Sequence, residues 1–240
     1  STAVDVSLSL DELQEHLHSL PDKPEAIPYV TSYYSDRWGF CLTHLQRAAL
    51  VPDTYRAVIR ARKFQGVMNY AELIIPGESS KEVFLSTYIC HPSMANNEVS
   101  GPSVLTFVAK WLQSAPRHFT YRLVFLPETI GAIYYLSQHL EHLRQHVHVG
   151  FNISCVGDDR NYSFVSSRKG QTLADRIAGH ILPILSPSFV RHSFLERASD
   201  ERQYGSPLVD LPLVSLSRTK YGCYDEYHTS LDNKDFISLY

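Results

Sequence analysis

Two histidines and a glutamate are the residues of this chain best suited to chemistry. His91 directly follows the apolar run 82–90 (EVFLSTYIC), Glu128 follows 122–127 (RLVFLP), and His228 comes shortly after 212–218 (PLVSLSR). Imidazole and carboxylate are the usual ligands of hydrolytic zinc sites, where a nearby non-ligand glutamate takes a proton from water. Each residue alone has a plainer explanation. A lone histidine after a strand is more often structural, and a glutamate there complements a helix N-terminus. Together, at separate strand ends, they describe a metal-dependent hydrolytic site.

Such a site needs elements that bring distant segments to one crevice. Ser9 and Glu12 have the spacing of a capping box opening a short helix within 7–18, and an irregular stretch rich in Pro, Tyr and Trp follows. Residues 54–64 and 66–78 alternate in polarity and 82–90 is nearly continuously apolar. These predict three strands, two in a meander and the third buried on both faces. Strand and helix patterns then alternate: a helix over 101–113, a strand at 119–127, a helix over 130–146, a strand at 147–157, a helix over 172–185 and a last strand at 212–218. This is an α/β order, with a mostly parallel mixed sheet flanked by helices on both faces. Active sites of such sheets collect at the carboxyl ends of the strands. His91, Glu128, the Asp158-Asp159 pair after 151–157, and His228 all follow strands.

The 240 residues, 44% hydrophobic and 20% charged, have the composition and length of a globular chain with a sizeable core. The net charge of -3 and the absence of a basic block argue against nucleic acid as a partner. No run reaches 18 apolar residues, so no membrane span is expected. Cys41, Cys90, Cys155 and Cys223 are scattered without a CxxC pair, and read as free thiols of a reducing, cytoplasmic compartment. A start without Met and a stop at Tyr240 just after a motif are what a piece of a longer chain would show.

The motifs ICHPSMANNEVSGP (89–102), RLVFLPETIGAIYYLS (122–137), FNISCVG (151–157), ASDERQYGSPLVDLPLVSL (198–216) and EYHTSLDN (226–233) stand in this order. The chain resembles the co-catalytic zinc aminopeptidases and their glutaminyl-cyclase relatives (a phosphorylase/hydrolase-like fold). More closely, it resembles a bacterial family of aminopeptidase-like proteins often associated with polysaccharide-biosynthesis genes. The resemblance spans residues 55–235, which makes 55–240 the aminopeptidase-like domain and 1–54 a helical and irregular segment packing on it. It implies that His91 and His228 are metal ligands and Glu128 the general base. Where the family has a second glutamate, a bridging aspartate and a further aspartate ligand, this chain has Thr129, Asn97 and, approximately, Ser154. Two zinc ions need anionic ligands to offset their repulsion, and Asn97 offers a neutral oxygen only. The expectation is therefore one zinc ion, with His91, His228 and Asn97 as ligands. A carboxylate among Glu98, Glu128, Asp200 and Glu201 would complete the set, and the sequence does not choose. Ser199-Asp200 matches a motif lining the peptidase substrate pocket, so Asp200, with Glu201 and Tyr227, is assigned to substrate.

Other features have bland explanations. His139, His142 and His146 share one helix face that reads as solvated, without HExxH. Asp158-Asp159 reads as a polar turn, and the Arg168-Lys169-Gly170 turn as solvent-facing, unless it meets an anion. The function expected is hydrolysis of an amide, peptide or N-acyl bond in a small-molecule or peptide-like substrate. The alternatives are an inactive aminopeptidase-like binding domain, or a sugar amidohydrolase or deacetylase of polysaccharide biosynthesis.

Overall fold

The computed structural model of the chain describes residues 3–91 and 93–238; Pro92, within the 89–102 motif, and the terminal Tyr240 lie outside them. Contacts divide the chain into one unit running to Val67 and including His228–Leu231, and a second formed by Met68–Tyr227 and the stretch from Asp232 onward.

In the first unit, the Ser9–Glu12 capping box closes as the sequence implies. Glu12 N donates to Ser9 Oγ at 3.3 Å and Ser9 N to Glu12 Oε2 at 2.8 Å. It joins β1 (Val4–Ser9) to α1 (Leu10–Gln14). The short strands β2 (Leu17–His18) and β3 (Phe40–Cys41) pair in parallel, α2 (His44–Ala48) follows, and β4 (Thr54–Ile59) returns antiparallel to β1. Leu13, Leu17 and Ala57 form the buried centre. The segment His228–Leu231 is tied in through Tyr29 N donating to His228 O at 2.8 Å and Ser230 N donating to Ile27 O at 2.9 Å.

The second unit holds β5 (Ala71–Ile75), β6 (Ser79–Tyr88), α3 (Ser100–Gln113), β7 (Phe119–Leu126), α4 (Ile130–His146) and β8 (Val147–Ile153). It continues through β9 (Ser163–Val165), α5 (Leu173–Leu185), β10 (Val190–His192), α6 (Glu201–Tyr204) and β11 (Leu213–Ser217). Among the described residues its seven strands form one sheet in the order β10-β9-β11-β8-β6-β7-β5. The four central strands, β11, β8, β6 and β7, are mutually parallel. At the edges, β5 is antiparallel to β7 and β9 antiparallel to β11. Helices α3 and α5 bury Leu105, Leu112, Ala178 and Leu182 on one face of the sheet, against Leu85, Val149 and Val214. On the other face, Tyr135 and Leu143 of α4 and Tyr204 of α6 pack on Phe84, Val124 and Leu213. β6 is buried from Val83 to Tyr88, which is why it reads as a continuous apolar run rather than an alternating one.

Two departures from the sequence expectation concern strands. The expected meander of 54–64 and 66–78 does not form: β4 pairs with β1, and β5 with β7. Alternating polarity marks a strand but carries no information about its partner. The edge strands β9 and β10 were not anticipated, because three residues are too few to show a period of two. Among the described residues, no helix is long and apolar enough to cross a membrane.

On the α4 face an ion cluster ties β5, β6 and β7 together. Arg122 donates from Nε and Nη2 to Glu82 at 2.7 and 2.9 Å, and from Nη1 to Glu72 at 2.5 Å. The Tyr135 hydroxyl also donates to Glu72, and His142 Nε2 lies 2.7 Å from Glu82 Oε1. His142 thus keeps the solvent exposure expected of its helix face, with 42% of its side chain accessible, and also joins this cluster, its ring stacked on His146 at 4.2 Å. Burial pushes the Glu82 carboxyl up, but the hydrogen bonds from Arg122 and His142 outweigh it and hold the group below its ordinary range. A depressed folded pKa gives stability that is fully present above the unfolded value and lost as pH falls through the folded one. Urea midpoints are therefore expected to fall on the acid side, below about pH 4, and Glu82→Gln should flatten that slope. An unchanged acid limb in the variant would remove Glu82 from the account.

Candidate functional site

The candidate residues gather at the carboxyl ends of β6 and β7. Past β6 the chain turns sharply at His91, which has a φ of 57°. The turn places the adjacent Cys90 Sγ and His91 Nδ1 3.2 Å apart. Past β7, Glu128 donates its backbone N to Cys90 Sγ at 3.4 Å, joining the two strand ends. One ligand atom from each of Cys90, His91 and Glu128 lies within 4.8 Å of the other two. Thr129 has a φ of 63° and Cys155, just past β8, a φ of 52°. Left-handed backbone at non-glycine residues costs roughly 1–3 kcal/mol each and gathers at functional sites. Here it falls beside three neighbouring strand ends.

Carboxylates surround this group. Glu98, in the π-helical turn that leads into α3, lies 2.7 Å from His91 Nδ1 with both side chains buried. That contact holds the ring in place, as the carboxylate partner of a metal-ligating imidazole does. Burial pushes the Glu98 carboxyl up to about 7 even with His91 beside it. Burial alone would lower His91, but the Glu98 carboxylate outweighs it and holds the imidazole above its usual range. The Cys90 thiol is pushed up to about 12 by burial and by Glu98; coordination to a cation would ionise it. Ser199 Oγ donates to Glu128 Oε1 at 2.6 Å, which orients that carboxylate.

The other expected site residues fall as follows. Asn97 is buried, its N donates to Asp232 Oδ2 at 3.0 Å, and its Nδ2 donates to Tyr88 Oη at 3.4 Å and Cys155 Sγ at 3.6 Å. Its Oδ1 has no partner among the described residues. Asp200 is fully buried and accepts from Thr129 N at 2.7 Å, while its Oδ2 has no partner among the described residues. Burial holds its carboxyl well above the ordinary range. Glu201 Oε1 accepts from Tyr221 Oη at 2.5 Å, Ala198 N at 2.9 Å and Ser199 N at 3.1 Å, so this carboxylate braces the Ser199-Asp200 segment. Tyr227 packs edge-on against Tyr224 at 5.4 Å, and burial raises its hydroxyl. His228 belongs to the first unit, where its ring meets Tyr29 edge-on at 5.1 Å. Asp158 is a buried tie, accepting from Asn96 Nδ2, Arg160 N and Thr219.

Cys90 is the member of this site that the sequence did not reveal, and Glu98, one of four candidate carboxylates there, proves to be the partner of His91. Cys90 reads as a buried thiol ending a strand, although its place next to His91 is the signal that could have marked it. Thiol, imidazole and carboxylate donors at this spacing fit one zinc-type ion. They do not fit two ions, because Asn97 and Ser154 supply no anionic oxygen and Thr129 contributes its backbone N–H to Asp200.

A mostly parallel, mixed sheet with helices on both faces is the fold of an aminopeptidase-like α/β domain. The chain belongs to the family described as domain of unknown function DUF4910, whose model matches residues 9–239. A Clostridium acetobutylicum protein, provisionally described as a polysaccharide biosynthesis protein with an aminopeptidase-like domain, is 40% identical over 238 residues, 99% of this chain and 54% of its own. A crystal structure from C. acetobutylicum, provisionally titled a peptidase, superposes with a TM-score of 0.94 at 38% identity, covering 99% of this chain and 56% of that one. The chain thus spans about half the length of these relatives. The fold is shared more widely, with a Bacillus subtilis zinc aminopeptidase (TM-score 0.57, 19% identity, 70% and 44% of the two chains) and a Porphyromonas gingivalis glutaminyl cyclase (0.56, 14%, 71% and 72%).

Proposed function

We propose that this domain is a metal-dependent hydrolase of an amide, peptide or N-acyl bond, working with a single zinc ion. The observation that carries this is the convergence of Cys90, His91 and Glu128 within 4.8 Å, with Glu98 orienting His91. Cys90 and His91 would hold the ion. Asn97 Oδ1, buried with no partner among the described residues, is a neutral donor suited to the same role. His228, which lies in the first unit, has only its Tyr-His-Thr motif to speak for such a role. A bound zinc ion supplies Lewis acidity toward a carbonyl and toward water. Ser199 occupies Glu128 Oε1 and leaves Oε2 to accept a proton from the attacking water. As the C–O bond forms and the C–N bond breaks, Glu128 returns that proton to the leaving nitrogen. Asp200 and Tyr227 are assigned to the substrate side, and Glu201 acts by holding Ser199.

Metal analysis of protein purified without chelator tests this. About one zinc per chain is expected in the wild type, falling close to zero in Cys90→Ala and His91→Ala and staying unchanged in His142→Ala. Wild-type protein with negligible zinc would sink the proposal.

A second possibility, a crevice that binds a peptide-like or sugar ligand without cleaving it, is favoured by the neutral side chains of Asn97, Thr129 and Ser154. The description of the C. acetobutylicum relative makes N-acylated sugars of polysaccharide biosynthesis a substrate class worth including in either test.

A further inference from the structure

Strands β9 and β10 run opposite to β11, and therefore to β6, β7 and β8. Their carboxyl ends consequently open at the other end of the sheet from Cys90, His91 and Glu128. A cavity of about 470 Å³ lies there, between the turn after β9 and the turn after β10. Arg168, Lys169 and Arg191 line it.

The cations of this cavity outnumber the carboxylates paired with them. Arg168 and Lys169 share one carboxylate, Asp210, each at 2.9 Å. The carboxylate nearest Arg191 is Asp175, 3.9 Å away. Its oxygens already accept from Ser167 N and Oγ and from Thr172 N and Oγ1. A third carboxylate, Glu196, faces His192 at 3.1 Å and accepts from Ser193 N at 2.9 Å, so among the described residues Arg168, Lys169 and Arg191 draw ion pairs from Asp210 and Asp175 alone, the latter occupied by neutral donors.

Arg191 is also held in place before any ligand arrives. Its Nε donates to Ser166 Oγ and its Nη2 to Gly170 O, both at 2.8 Å, and its guanidinium stands 5.5 Å from the centre of the Phe164 ring. Gly170 reaches this position through a φ of 69°, open to glycine without strain. Nη1 has no hydrogen-bond partner among the described residues. Ser166 and Ser193 each use an oxygen lone pair within the protein, accepting from Arg191 and Leu195 N, which leaves their O–H groups as donors. Cations and hydroxyls on several sides suit a tetrahedral, multiply charged acceptor better than a planar carboxylate.

We propose that this cavity is a second binding site, independent of the hydrolytic crevice, for the phosphate group of a small phosphomonoester. The guanidinium of Arg191 and the ammonium of Lys169 hold the phosphate oxygens, and exposed Leu195 offers an apolar rim to the organic part.

Calorimetric titration of the whole chain at low ionic strength, with inorganic phosphate, methyl phosphate and acetate as separate probes, tests this. Saturable binding of both phosphates at one site is expected, with acetate much weaker. Arg191→Gln should weaken phosphate about tenfold, whereas Asp210→Asn, which removes the shared counter-charge, should tighten it. The opposite sign of the Asp210 effect separates ligand binding from a loss of structure, and circular dichroism confirms that each variant folds. His91→Ala should bind phosphate as the wild type does. The proposal is overturned by an absence of saturable phosphate binding, by acetate binding equally well, or by phosphate binding that responds to His91→Ala and not to Arg191→Gln.

Discussion

Glu128→Gln is expected to lower turnover of amide or N-acyl substrates about 10²- to 10⁴-fold while leaving the zinc content at its wild-type level. The substitution is close to isosteric. The Gln oxygen still accepts from Ser199 Oγ, and the backbone N of residue 128 still donates to Cys90 Sγ, so the strand ends keep their positions. What is lost is the capacity to take a proton on Oε2 and deliver it to a leaving nitrogen. The experiment also divides the roles that the geometry allows Glu128, whose carboxylate lies within ligand distance of Cys90 and His91. If zinc departs together with activity, Glu128 is a ligand and not the base. If wild type and variant both bind an N-acyl sugar or peptide-like ligand and neither turns it over, the crevice is a binding site. A panel of aminoacyl anilides and N-acetylated sugars, followed by zinc analysis of the same samples, separates the three.

Much of this arrangement was legible in the sequence because strand ends are legible. The run before His91 is apolar throughout, the helix over 130–146 is bounded by Thr129 and the strand after it, and Glu128 sits in the gap between. Such boundaries place residues at the carboxyl edge of a parallel sheet without knowledge of any contact. What happens at that edge was not legible. Successive strand residues point to opposite faces, so Cys90 and His91 read as residues facing apart. The left-handed backbone at His91 breaks that alternation and brings Sγ and Nδ1 to 3.2 Å. The Glu98–His91 contact depends on the π-helical turn at 95–99, for which no residue pattern is diagnostic. The strand at 54–59 shows a related limit: its alternation was clear, but its partner was β1, some fifty residues earlier in the chain. The cavity beyond β9 and β10 was equally hidden, since strands of three residues leave no period to recognise.

Arg122→Met is expected to destabilise the protein by about 3–5 kcal/mol, the range for leaving one partner of a buried ion pair uncompensated. Arg122 lies between two carboxylates, Glu72 on one neighbouring strand and Glu82 on the other; Arg122 and Glu82 are well removed from water, while Glu72 keeps about a quarter of its side chain exposed. Methionine fills much of the volume but supplies no donors, so Glu82 would keep only His142, and Glu72 only Tyr135. The double variant Arg122→Met, Glu82→Gln removes the stranded charge and should recover part of the loss, giving a coupling above the few tenths of a kcal/mol that separate independent sites. Urea unfolding of the four proteins in the cycle measures it; a single-variant cost below about 1 kcal/mol would place the cluster in the solvent-screened class. The cluster also bears on the chemistry at the other end of the same strands. β6 carries Glu82 near its start and Cys90 and His91 just past its end, while β7 carries Arg122 and then Glu128. The Arg122–Glu82 bridge spans these two strands, so it fixes one of them relative to the other. A fold that retained its helices but lost this bridge would hold Glu128 less firmly against the ligand pair, and zinc affinity in Arg122→Met should fall even in the fraction that remains folded.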